Sequence, residues 1–376
     1  MGGIYIHIPY CRQKCSYCNF HFSTNVTDTG RMSDSLIKEV SLRSDELRLL
    51  DIETIYFGGG TPSIFAPEEM QRLIKEIGRI IALNKVKEVT IECNPDDLTL
   101  DYLHSLYNDS CINRLSVGIQ SFFDDDLEMM NRTHSGRDSI DCLENIFKTG
   151  FDNVTADLIF GLPDNDSQKW ERNLKKLIEF PVEHISCYGL TVEPKTQLEY
   201  DISRGKVPVP DDGIALDQFY FTEEYLTPRG FVHYEISNYA KPGKIAIHNT
   251  NYWRQEKYVG IGPSAHSFDG FRRRWNIANN ASYMKKINNE EKFWEEEYLS
   301  EADMYNEWIM TGLRTIWGID PKQIKKFTSS IQDEFFIAKE NAVKKGRIAE
   351  TEDRMFLTRR GKGIADSVIS DFFFVR

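Results

Sequence analysis

Three cysteines near the start of the chain are spaced so that one inorganic centre could take all of their thiolates. Cys11, Cys15 and Cys18 follow directly after an apolar run with the pattern of a β-strand. An iron–sulfur cubane usually takes four cysteines, so three leave one iron open to the amino and carboxylate groups of a small molecule. The alternative is a structural zinc ion with His7 or His21 as fourth ligand, although zinc ligands usually come as two separated pairs. We therefore expect a four-iron, four-sulfur cluster.

Glycines and polar side chains further along the chain could hold a ligand of such a cluster. The turn Gly58-Gly59-Gly60-Thr61-Pro62 comes one strand–helix unit after the cysteines. Glycines let a backbone approach a ligand closely, so the N–H and C=O groups of this turn could bind the amino and carboxylate end of a ligand. An ordinary tight turn explains the pattern as well. Glu92, Gln120 and Asp157 also stand at strand ends, where a salt bridge or cap is the alternative.

These residues need elements that bring them to one edge of a sheet. Apolar runs alternate with amphipathic stretches, a pattern that predicts βα units and a mainly parallel sheet. The predicted fold is α/β, a partial (β/α)6 barrel similar to a TIM barrel, followed by a small, mostly helical, winged-helix-like domain. In parallel barrels the C-terminal ends of the strands carry the site. The predicted strands are Ile4–Ile8, Thr54–Phe57, Val89–Cys93, Arg114–Ile119, Val154–Ile159 and His184–Tyr188, and the helices between them are Ser33–Leu50, Pro67–Leu83, Leu100–Asn108, Ser139–Thr149 and Ser167–Phe180.

The repeating pattern ends at a connection flanked by Pro208 and Pro210, and a glycine-rich turn is predicted at 260–263. The last part of the chain is mostly helical, with a strand-like pair near Ile348 and 356–357. Winged helices often bind DNA, but in an acidic chain a docking or lid role is the better expectation. The predicted parts are a core domain at 1–205, a connecting region at 206–298 and a small C-terminal domain at 299–376.

Composition and charge exclude several classes of protein. Hydrophobic residues make up 40% and charged residues 28%, as in ordinary globular proteins. No run approaches the roughly 18 apolar residues of a membrane span, and the start lacks a signal-peptide pattern, so we expect a cytoplasmic protein. Lys plus Arg number 46 against 58 Asp plus Glu, and the net charge of −12 disfavours nucleic-acid partners. The acidic runs 124–126 and 295–297 are expected to be solvated faces. Seven cysteines, an odd number, argue against a disulfide framework.

The pattern Cys11-x-x-x-Cys15-x-Tyr17-Cys18 resembles the signature of the radical S-adenosylmethionine superfamily, and the turn at 58–62 resembles that family's glycine motif. The resemblance implies a [4Fe-4S] cluster with S-adenosyl-L-methionine on its open iron. It also implies an electron donor that reduces the cluster. The reduced cluster passes one electron to the sulfonium of S-adenosylmethionine, and cleavage of a carbon–sulfur bond gives a 5′-deoxyadenosyl radical.

Longer segments resemble the oxygen-independent coproporphyrinogen III dehydrogenase (oxidase-like) group, over nearly the whole chain. They are Tyr5–Cys11, Gly58–Pro62, Glu92–Pro95, Ser116–Phe122 and Asp157–Pro163. The resemblance implies roles for these side chains in binding S-adenosylmethionine. Glu92 or Asp157 binds its ribose hydroxyls or its ammonium, Gln120 forms hydrogen bonds with its polar edges, and Arg132 pairs with its carboxylate. The residues that match S-adenosylmethionine contacts by position are Tyr5, Gly59, Gly60, Thr61, Glu92, Gln120, Arg132 and Asp157.

Two departures separate this chain from the dehydrogenases of the group. Those enzymes carry a further cysteine two residues after the triple, where this chain reads Cys18-Asn19-Phe20. They also carry an N-terminal extension, whereas here the first predicted strand begins at Ile4.

The haem chaperone branch of the group is the closer resemblance. Its mark is a His-Asn-x-x-Tyr-Trp motif, which implies His248 as an axial ligand of haem iron and Tyr252 and Trp253 as flat faces for the porphyrin. Without the resemblance, His248 capping a turn over a core of Tyr252 and Trp253 is the simpler reading. His266, in a segment that could sit beside the adenosyl group or the porphyrin, is a second candidate ligand. The run 272–274 of three arginines is expected to be a solvated hairpin tip, with pairing to haem propionates as the alternative.

The resemblance thus implies a haem chaperone that binds haem or a porphyrin and transfers haem to an acceptor protein. The alternative is an oxygen-independent coproporphyrinogen III dehydrogenase, which decarboxylates its substrate oxidatively to protoporphyrinogen IX. The same scaffold could host a radical methylase, but no residue pattern favours it.

Overall fold

A computed structural model of the chain describes residues 2–164 and 166–375. Met1 and Arg376, where the first predicted domain begins and the last one ends, lie outside the described residues. One large sheet with its covering helices takes up the described chain as far as position 298, and a small helical unit follows. Among the helices of the described residues, none is both long and apolar enough to cross a membrane.

Six parallel strands form the centre of the sheet and confirm the six predicted strands. Each pairs with the next along the chain, so their carboxyl ends lie at one edge. The strands are β1 (Gly2–Ile8), β2 (Ile52–Gly59), β3 (Glu88–Cys93), β4 (Arg114–Gln120), β5 (Val154–Phe160) and β6 (His184–Gly189).

Further strands widen the sheet on both sides, and all of them come from the predicted connecting region. They are β7 (Val232–His233), β8 (Asn238–Ala240), β9 (Lys257–Ile261), β10 (His266–Phe268), β11 (Arg272–Asn276) and β12 (Trp294–Tyr298). β9 runs parallel to β1, and β10 to β12 continue from it antiparallel, whereas β8 and β7 follow β6. The prediction of a turn at 260–263 is wrong in part, because Gly260 and Ile261 belong to β9.

Amphipathic helices follow the central strands and cover the sheet. The helix after β2 shows why: Pro67 fits its first turn, Glu68 and Glu69 favour the positive helix terminus, and the buried Met70, Leu73, Ile74 and Ile77 recur at helical spacing. The helix predicted at 33–50 is interrupted at Arg43, whose φ of −101° and ψ of 15° leave the helical region.

The helices of the structure are α1 (Thr29–Leu42), α2 (Ser44–Arg48), α3 (Pro67–Gly78), α4 (Leu100–Asp109), α5 (Asp124–Met129), α6 (Gly136–Thr149), α7 (Ser167–Leu177), α8 (Gln197–Ser203), α9 (Asp212–Leu226), α10 (Ile247–Trp253), α11 (Asn280–Asn288), α12 (Glu301–Leu313), α13 (Ser329–Lys344), α14 (Arg359–Lys362) and α15 (Ala365–Ser370). Short 3-10 helices lie at Pro62–Ile64, Leu83–Lys85, Pro95–Asp97, Thr227–Arg229 and Pro321–Lys326. A hairpin of β13 (Ile348–Glu350) and β14 (Met355–Leu357) accompanies α12 to α15.

Buried apolar side chains form two main clusters. The larger joins Ile4 of β1 with Val259 of β9 and Phe293, so the predicted connecting region packs into the same core as the residues before it. The second cluster lies within the last part of the chain and includes Tyr305 and Phe335. Both domain boundaries stay predictions. The separate apolar cluster after position 298 supports the boundary between 298 and 299. The boundary between 205 and 206 has no such support, because residues on both sides of it pack into one cluster.

The three consecutive arginines lie within β11, and the prediction of a solvated hairpin tip is wrong. Arg274 is buried and its Nη1 lies 2.9 Å from a carboxylate oxygen of Glu46. Arg273 is half-buried, and its Nη2 lies 2.7 Å from Glu307 of α12. The acidic run 295–297 is exposed, as predicted, but forms β12 beside these arginines.

The other acidic run is not a uniformly solvated face. Asp126 is buried, and the ammonium of Lys169 lies 2.8 Å from its carboxylate, 2.9 Å from Asp125 and 2.5 Å from Asp164. Lys169 thus offsets part of the negative charge of these three acids.

A buried carboxylate joins the helix layer to the added strands. Glu39 of α1 is fully buried and accepts hydrogen bonds from the N–H of Gly262 at 2.7 Å and the side-chain amide of Asn276 at 2.8 Å. The hydroxyl of Tyr283 donates to it at 2.5 Å, and Arg43 Nη1 lies 3.6 Å away. Burial raises the pKa of Glu39, and the charge of Arg43 opposes that rise. The carboxylate therefore fixes the position of the added strands on the central sheet.

Replacing Glu39 with alanine should lower the free energy of unfolding by about 3 kcal/mol, because Arg43 loses a counter-charge and three buried donors lose their acceptor. Urea unfolding followed by circular dichroism measures the change. Glu340→Ala, at an exposed position of α13, is the matched control and should leave stability unchanged. Equal stability of the two variants would contradict this role of Glu39.

Candidate functional site

The three cysteines lie in one loop after β1, and the backbone closes this loop at its base. Cys11, Cys15 and Cys18 are all half-buried. The N–H of Cys11 donates to the carbonyl of Ser23 at 3.1 Å, and the N–H of Ser23 donates to the carbonyl of Pro9 at 2.8 Å. A short closed segment therefore presents all three thiols.

The surroundings of these thiols favour a cationic centre. Burial raises the pKa of Cys11 to about 11 and also raises the pKa of Cys18, and the neighbouring thiolates add to both shifts. The hydroxyl of Thr61 donates to the Cys11 sulfur at 3.5 Å, and Arg132 Nη1 donates to the Cys15 sulfur at 3.3 Å. Thiolates crowded in this way are stabilised by a soft metal centre, so the donor set fits an iron–sulfur cluster.

The histidines that could complete a zinc site are already engaged. The Nδ1 of His7 lies 3.1 Å from the hydroxyl of Tyr5, and its Nε2 donates to the carbonyl of His21 at 2.9 Å. The Nε2 of His21 lies 2.8 Å from the side-chain oxygen of Asn280. Because both ring nitrogens of His7 are used, His7 could ligate zinc only after losing a hydrogen bond. The bond to Asn280 occupies one nitrogen of His21 and does not prevent the other from binding a metal, so these contacts count against His7 alone.

The glycine turn packs against the cysteine loop. The N–H groups of Gly60 and Thr61 donate to the carbonyls of Ile8 and Tyr10, at 2.9 and 2.6 Å. A Cβ atom at Gly60 would overlap the backbone of Tyr10, so this approach requires glycine. The expectation that N–H groups of the turn face a ligand is wrong for these two. The carbonyls of Thr61 and Pro62 are also used, because they accept from the N–H groups of Ile64 and Phe65, both at 3.0 Å.

Two carboxylates meet inside the sheet below this turn. Glu92 accepts hydrogen bonds from the hydroxyl of Tyr56 at 2.7 Å and the N–H of Gly59 at 3.1 Å. Ser116 donates to Asp157 at 3.3 Å. Burial raises the pKa of Glu92 to about 7, with the charge of Asp157 adding to the rise, and burial raises the pKa of Asp157 too. A ligand that brings hydroxyls or an ammonium would stabilise the charged form of both acids.

Gln120 and Arg132 bring unpaired polar atoms to the same edge. Gln120 ends β4 with a φ of 64°, a left-handed backbone that non-glycine residues rarely adopt. Arg132 donates to the side-chain oxygen of Asn94 at 2.7 Å and to the carbonyl of Gly118 at 3.0 Å. The Oε1 of Gln120 and the Nε of Arg132 are buried without a hydrogen-bond partner among the described residues. Buried polar atoms are nearly always satisfied, so these two leave a place for a polar ligand.

The predicted S-adenosylmethionine residues therefore gather near the carboxyl edge of β1 to β5, with Tyr5 one layer deeper. The ring of Tyr5 stacks on Tyr56 with 6.1 Å between the ring centres. Sequence reasoning missed Tyr56 and Asn94. Asn94 could have been found, because it lies two residues after Glu92 in a segment that resembles the family. For Tyr56 the sequence shows only that it lies on the same face of β2 as Gly58, which does not predict a role in the site.

The predicted haem segment forms α10, at the opposite end of the strands from the cysteines. His248 is 1% exposed and stacks on Tyr56 at 5.0 Å between ring centres. Its Nδ1 lies 2.7 Å from the hydroxyl of Thr54 and its Nε2 lies 2.9 Å from that of Tyr252. Burial lowers the pKa of His248 to about 3, so the ring is neutral. Both ring nitrogens are thus engaged, and His248 could ligate iron only after one of these bonds breaks.

The same segment is held at its start by Glu88. The carboxylate of Glu88 accepts from the N–H groups of Ile247 and His248, at 2.7 and 2.9 Å. Trp253 is half-buried, and its Nε1 has no hydrogen-bond partner in the described chain. Nothing in these contacts tests whether His248, Tyr252 and Trp253 bind haem, which stays a prediction.

Comparisons with known proteins identify several relatives. The family model of the radical SAM superfamily matches residues 5–177. The chain is 30% identical to the heme chaperone HemW of Bacillus subtilis over 376 residues, which cover 99% of each chain. It is 36% identical to HemW of Synechocystis over 71% of this chain and 66% of the other. It is 34% identical to the mouse mitochondrial radical S-adenosyl methionine domain-containing protein 1, over 70% of this chain and 60% of the other.

Among solved structures, the coproporphyrinogen III oxidase HemN of Escherichia coli, a radical SAM enzyme, matches with a TM-score of 0.84. The match covers 99% of this chain and 89% of HemN at 21% identity. At this identity the likeness shows the fold alone, and it confirms the predicted α/β barrel with a small C-terminal domain.

Replacing Glu92 with glutamine should flatten the pH dependence of stability between about pH 5 and pH 7. The pKa of Glu92 is raised from 4.5 to about 7 in the folded protein. The folded state therefore holds a proton that the unfolded state has released, and the free energy of unfolding falls as the pH rises through this window. Glutamine can accept from Gly59 and donate to Tyr56, but it does not titrate.

Urea unfolding of cluster-free protein at a series of pH values measures this slope. Glu68→Gln, at an exposed position of α3, should keep the wild-type slope. A wild-type slope in Glu92→Gln would contradict the raised pKa.

Proposed function

The chain belongs to the HemW family of haem chaperones within the radical S-adenosylmethionine superfamily, and from this we propose that it binds haem and transfers it to an acceptor protein. The observation that carries the proposal is the similarity to HemW over 99% of both chains. A [4Fe-4S] cluster and S-adenosyl-L-methionine accompany this function, and the site geometry fits both.

The alternative, an oxygen-independent coproporphyrinogen III dehydrogenase, is less favoured. HemN shares the fold at 21% identity, and one fold hosts many functions. After Cys18 this chain reads Asn19-Phe20, without the further cysteine that the dehydrogenases carry.

Cys11, Cys15 and Cys18 are the proposed thiolate ligands of the cluster, and the open iron is the proposed site of the amino and carboxylate groups of S-adenosylmethionine. The bound cluster supplies the electron that cleaves the carbon–sulfur bond of the sulfonium. Arg132 offsets the charge at Cys15, and Thr61 donates to Cys11.

The remaining polar atoms are assigned to the rest of S-adenosylmethionine. The carbonyls of Gly59 and Gly60 are the proposed acceptors for its ammonium, and Glu92 or Asp157 accepts from the ammonium or the ribose hydroxyls. The unpaired Nε of Arg132 is available to the carboxylate and the unpaired Oε1 of Gln120 to a polar edge. The full set of proposed contacts is Tyr5, Gly59, Gly60, Thr61, Glu92, Gln120, Arg132 and Asp157.

For haem, His248, Tyr252 and Trp253 remain proposed contacts, and the geometry attaches a condition to them. His248 must release Thr54 or Tyr252 and leave its buried position before an iron can reach a ring nitrogen. Binding through this residue therefore requires α10 to move.

The proposed function requires two protein partners, a haem acceptor and an electron donor for the cluster. The C-terminal domain is a proposed docking or lid element, and its ion pairs with the main unit support this role: Arg359 lies 3.1 Å from Glu223 of α9, and Glu307 binds Arg273. A cytoplasmic location and the lack of a nucleic-acid partner stay proposals drawn from composition.

Cys15→Ala should abolish cluster assembly, because two thiolates cannot hold the cubane that three can. Iron and acid-labile sulfide per chain, measured after anaerobic reconstitution, report this loss. Cys111→Ala removes an exposed cysteine outside the loop and should assemble the cluster fully. A loaded Cys15→Ala variant would contradict the assignment.

Anaerobically reconstituted protein should bind haem stoichiometrically and release it to apomyoglobin used as a haem trap. Optical titration with and without S-adenosylmethionine measures the binding, and the appearance of holomyoglobin measures the transfer. The same preparation should yield no protoporphyrinogen from coproporphyrinogen III. Failure to bind haem, or formation of that product, would overturn the chaperone assignment.

A further inference from the structure

A second histidine, His266, stands at the cysteine end of the sheet. It begins β10 and faces Trp275 of β11 across the ladder, with 6.1 Å between the ring centres and 29° between the ring planes. A Cβ atom at Gly260 would overlap the backbone of His266, and Gly260 pairs with Tyr5 of β1. His266 therefore lies beside the strands that carry the proposed S-adenosylmethionine site.

The ring of His266 is available to a ligand, in contrast to that of His248. His266 is exposed, and no side-chain hydrogen bond among residues 2–164 and 166–375 involves its ring. Partial burial lowers the pKa of His266, with the charge of Arg273 adding to the effect, so the ring is neutral at neutral pH. A neutral imidazole with a free nitrogen is the form that ligates haem iron.

The neighbours of His266 suit a flat apolar ligand that carries carboxylates. Trp275 presents a half-buried indole beside it. Arg273, one row along the ladder, lies over the ring of Phe268 at 5.3 Å and is held by Glu307. An aromatic face next to a cation is a suitable surface for a porphyrin and its propionates.

An open groove with a mostly polar lining lies beside the cysteine loop. It has a volume of about 790 Å³ and contains Phe20, which is 71% exposed, between Lys14 and Lys195. His21 follows Phe20 and stacks on His7 at 6.2 Å between ring centres. Burial lowers the pKa of His7 to about 4. The groove thus adjoins Cys18, on the loop that is proposed to hold the cluster.

We propose that His266, rather than His248, supplies the imidazole that ligates the iron of the transported haem, with Trp275 and Arg273 beside the bound porphyrin. This inference rests on the proposed haem transport and names its ligand. His248 then keeps its hydrogen bonds inside the sheet, and haem binds without unfolding α10.

The test is haem titration of cluster-loaded full-length protein in five forms, wild type, His266→Ala, Trp275→Ala, His248→Ala and the control His104→Ala at an exposed position of α4. His266→Ala should weaken haem binding about tenfold or more and change the axial-ligand signature in absorption and electron paramagnetic resonance. Added imidazole should restore that signature, because it replaces the missing ring. Trp275→Ala should weaken binding severalfold without changing the signature, and His104→Ala should match wild type. Cluster absorption shows that each variant is folded.

The outcomes separate this inference from the proposed function. If wild type binds no haem, the chaperone assignment fails. If wild type binds haem and His266→Ala keeps its affinity and signature, the assignment stands and the ligand inference is overturned. Where both histidine variants lose haem, imidazole rescue of His266→Ala supports the inference. Rescue of His248→Ala alone, or of neither variant, overturns it.

Discussion

The half-buried carboxyl group of Glu92 ties the glycine turn to the interior of the sheet. It accepts from the N–H of Gly59 and the hydroxyl of Tyr56, and Tyr56 in turn stacks on His248. A carboxylate removed from water is costly unless donors surround it, so these donors must stay in place for the sheet interior to be stable. The turn that packs on the cysteine loop and the side chains that fill the sheet are thereby fixed relative to each other. A ligand at the carboxyl edge then meets a prearranged set of atoms.

The central half of the fold could be predicted from the sequence because each strand there is an apolar run bounded by a turn. The added strands could not. β11 is rich in arginine and β12 in glutamate, so neither shows apolar alternation. They are held by pairing across the ladder and by ion pairs with distant residues, such as Arg274 with Glu46. Partners this far apart in sequence leave no local pattern to detect.

The candidate site could also be predicted only in part from the sequence. The cysteine loop is local, so its spacing alone predicted a metal centre. Which groups of the glycine turn remain free for a ligand depends instead on neighbours from β1. The carbonyls of Ile8 and Tyr10 take the N–H groups of Gly60 and Thr61, and only the three-dimensional arrangement reveals this. The unpaired Nε of Arg132 is a similar case, since every neighbour of that side chain comes from another segment.

A protein that delivers its cargo must also release it, and this requirement bears differently on the two histidines. Iron binding by His248 breaks a buried hydrogen bond, and each such bond contributes about 1 kcal/mol to stability, with a larger cost when its partner stays buried and unpaired. The helix that carries it must also leave the cap supplied by Glu88. Those costs recur in every cycle of loading and delivery. His266 is exposed and carries no such bond, so haem can reach and leave it while the sheet interior stays closed. A His-Asn-x-x-Tyr-Trp segment can therefore be essential to the scaffold through the contacts of His248, while a histidine outside the motif touches the cargo.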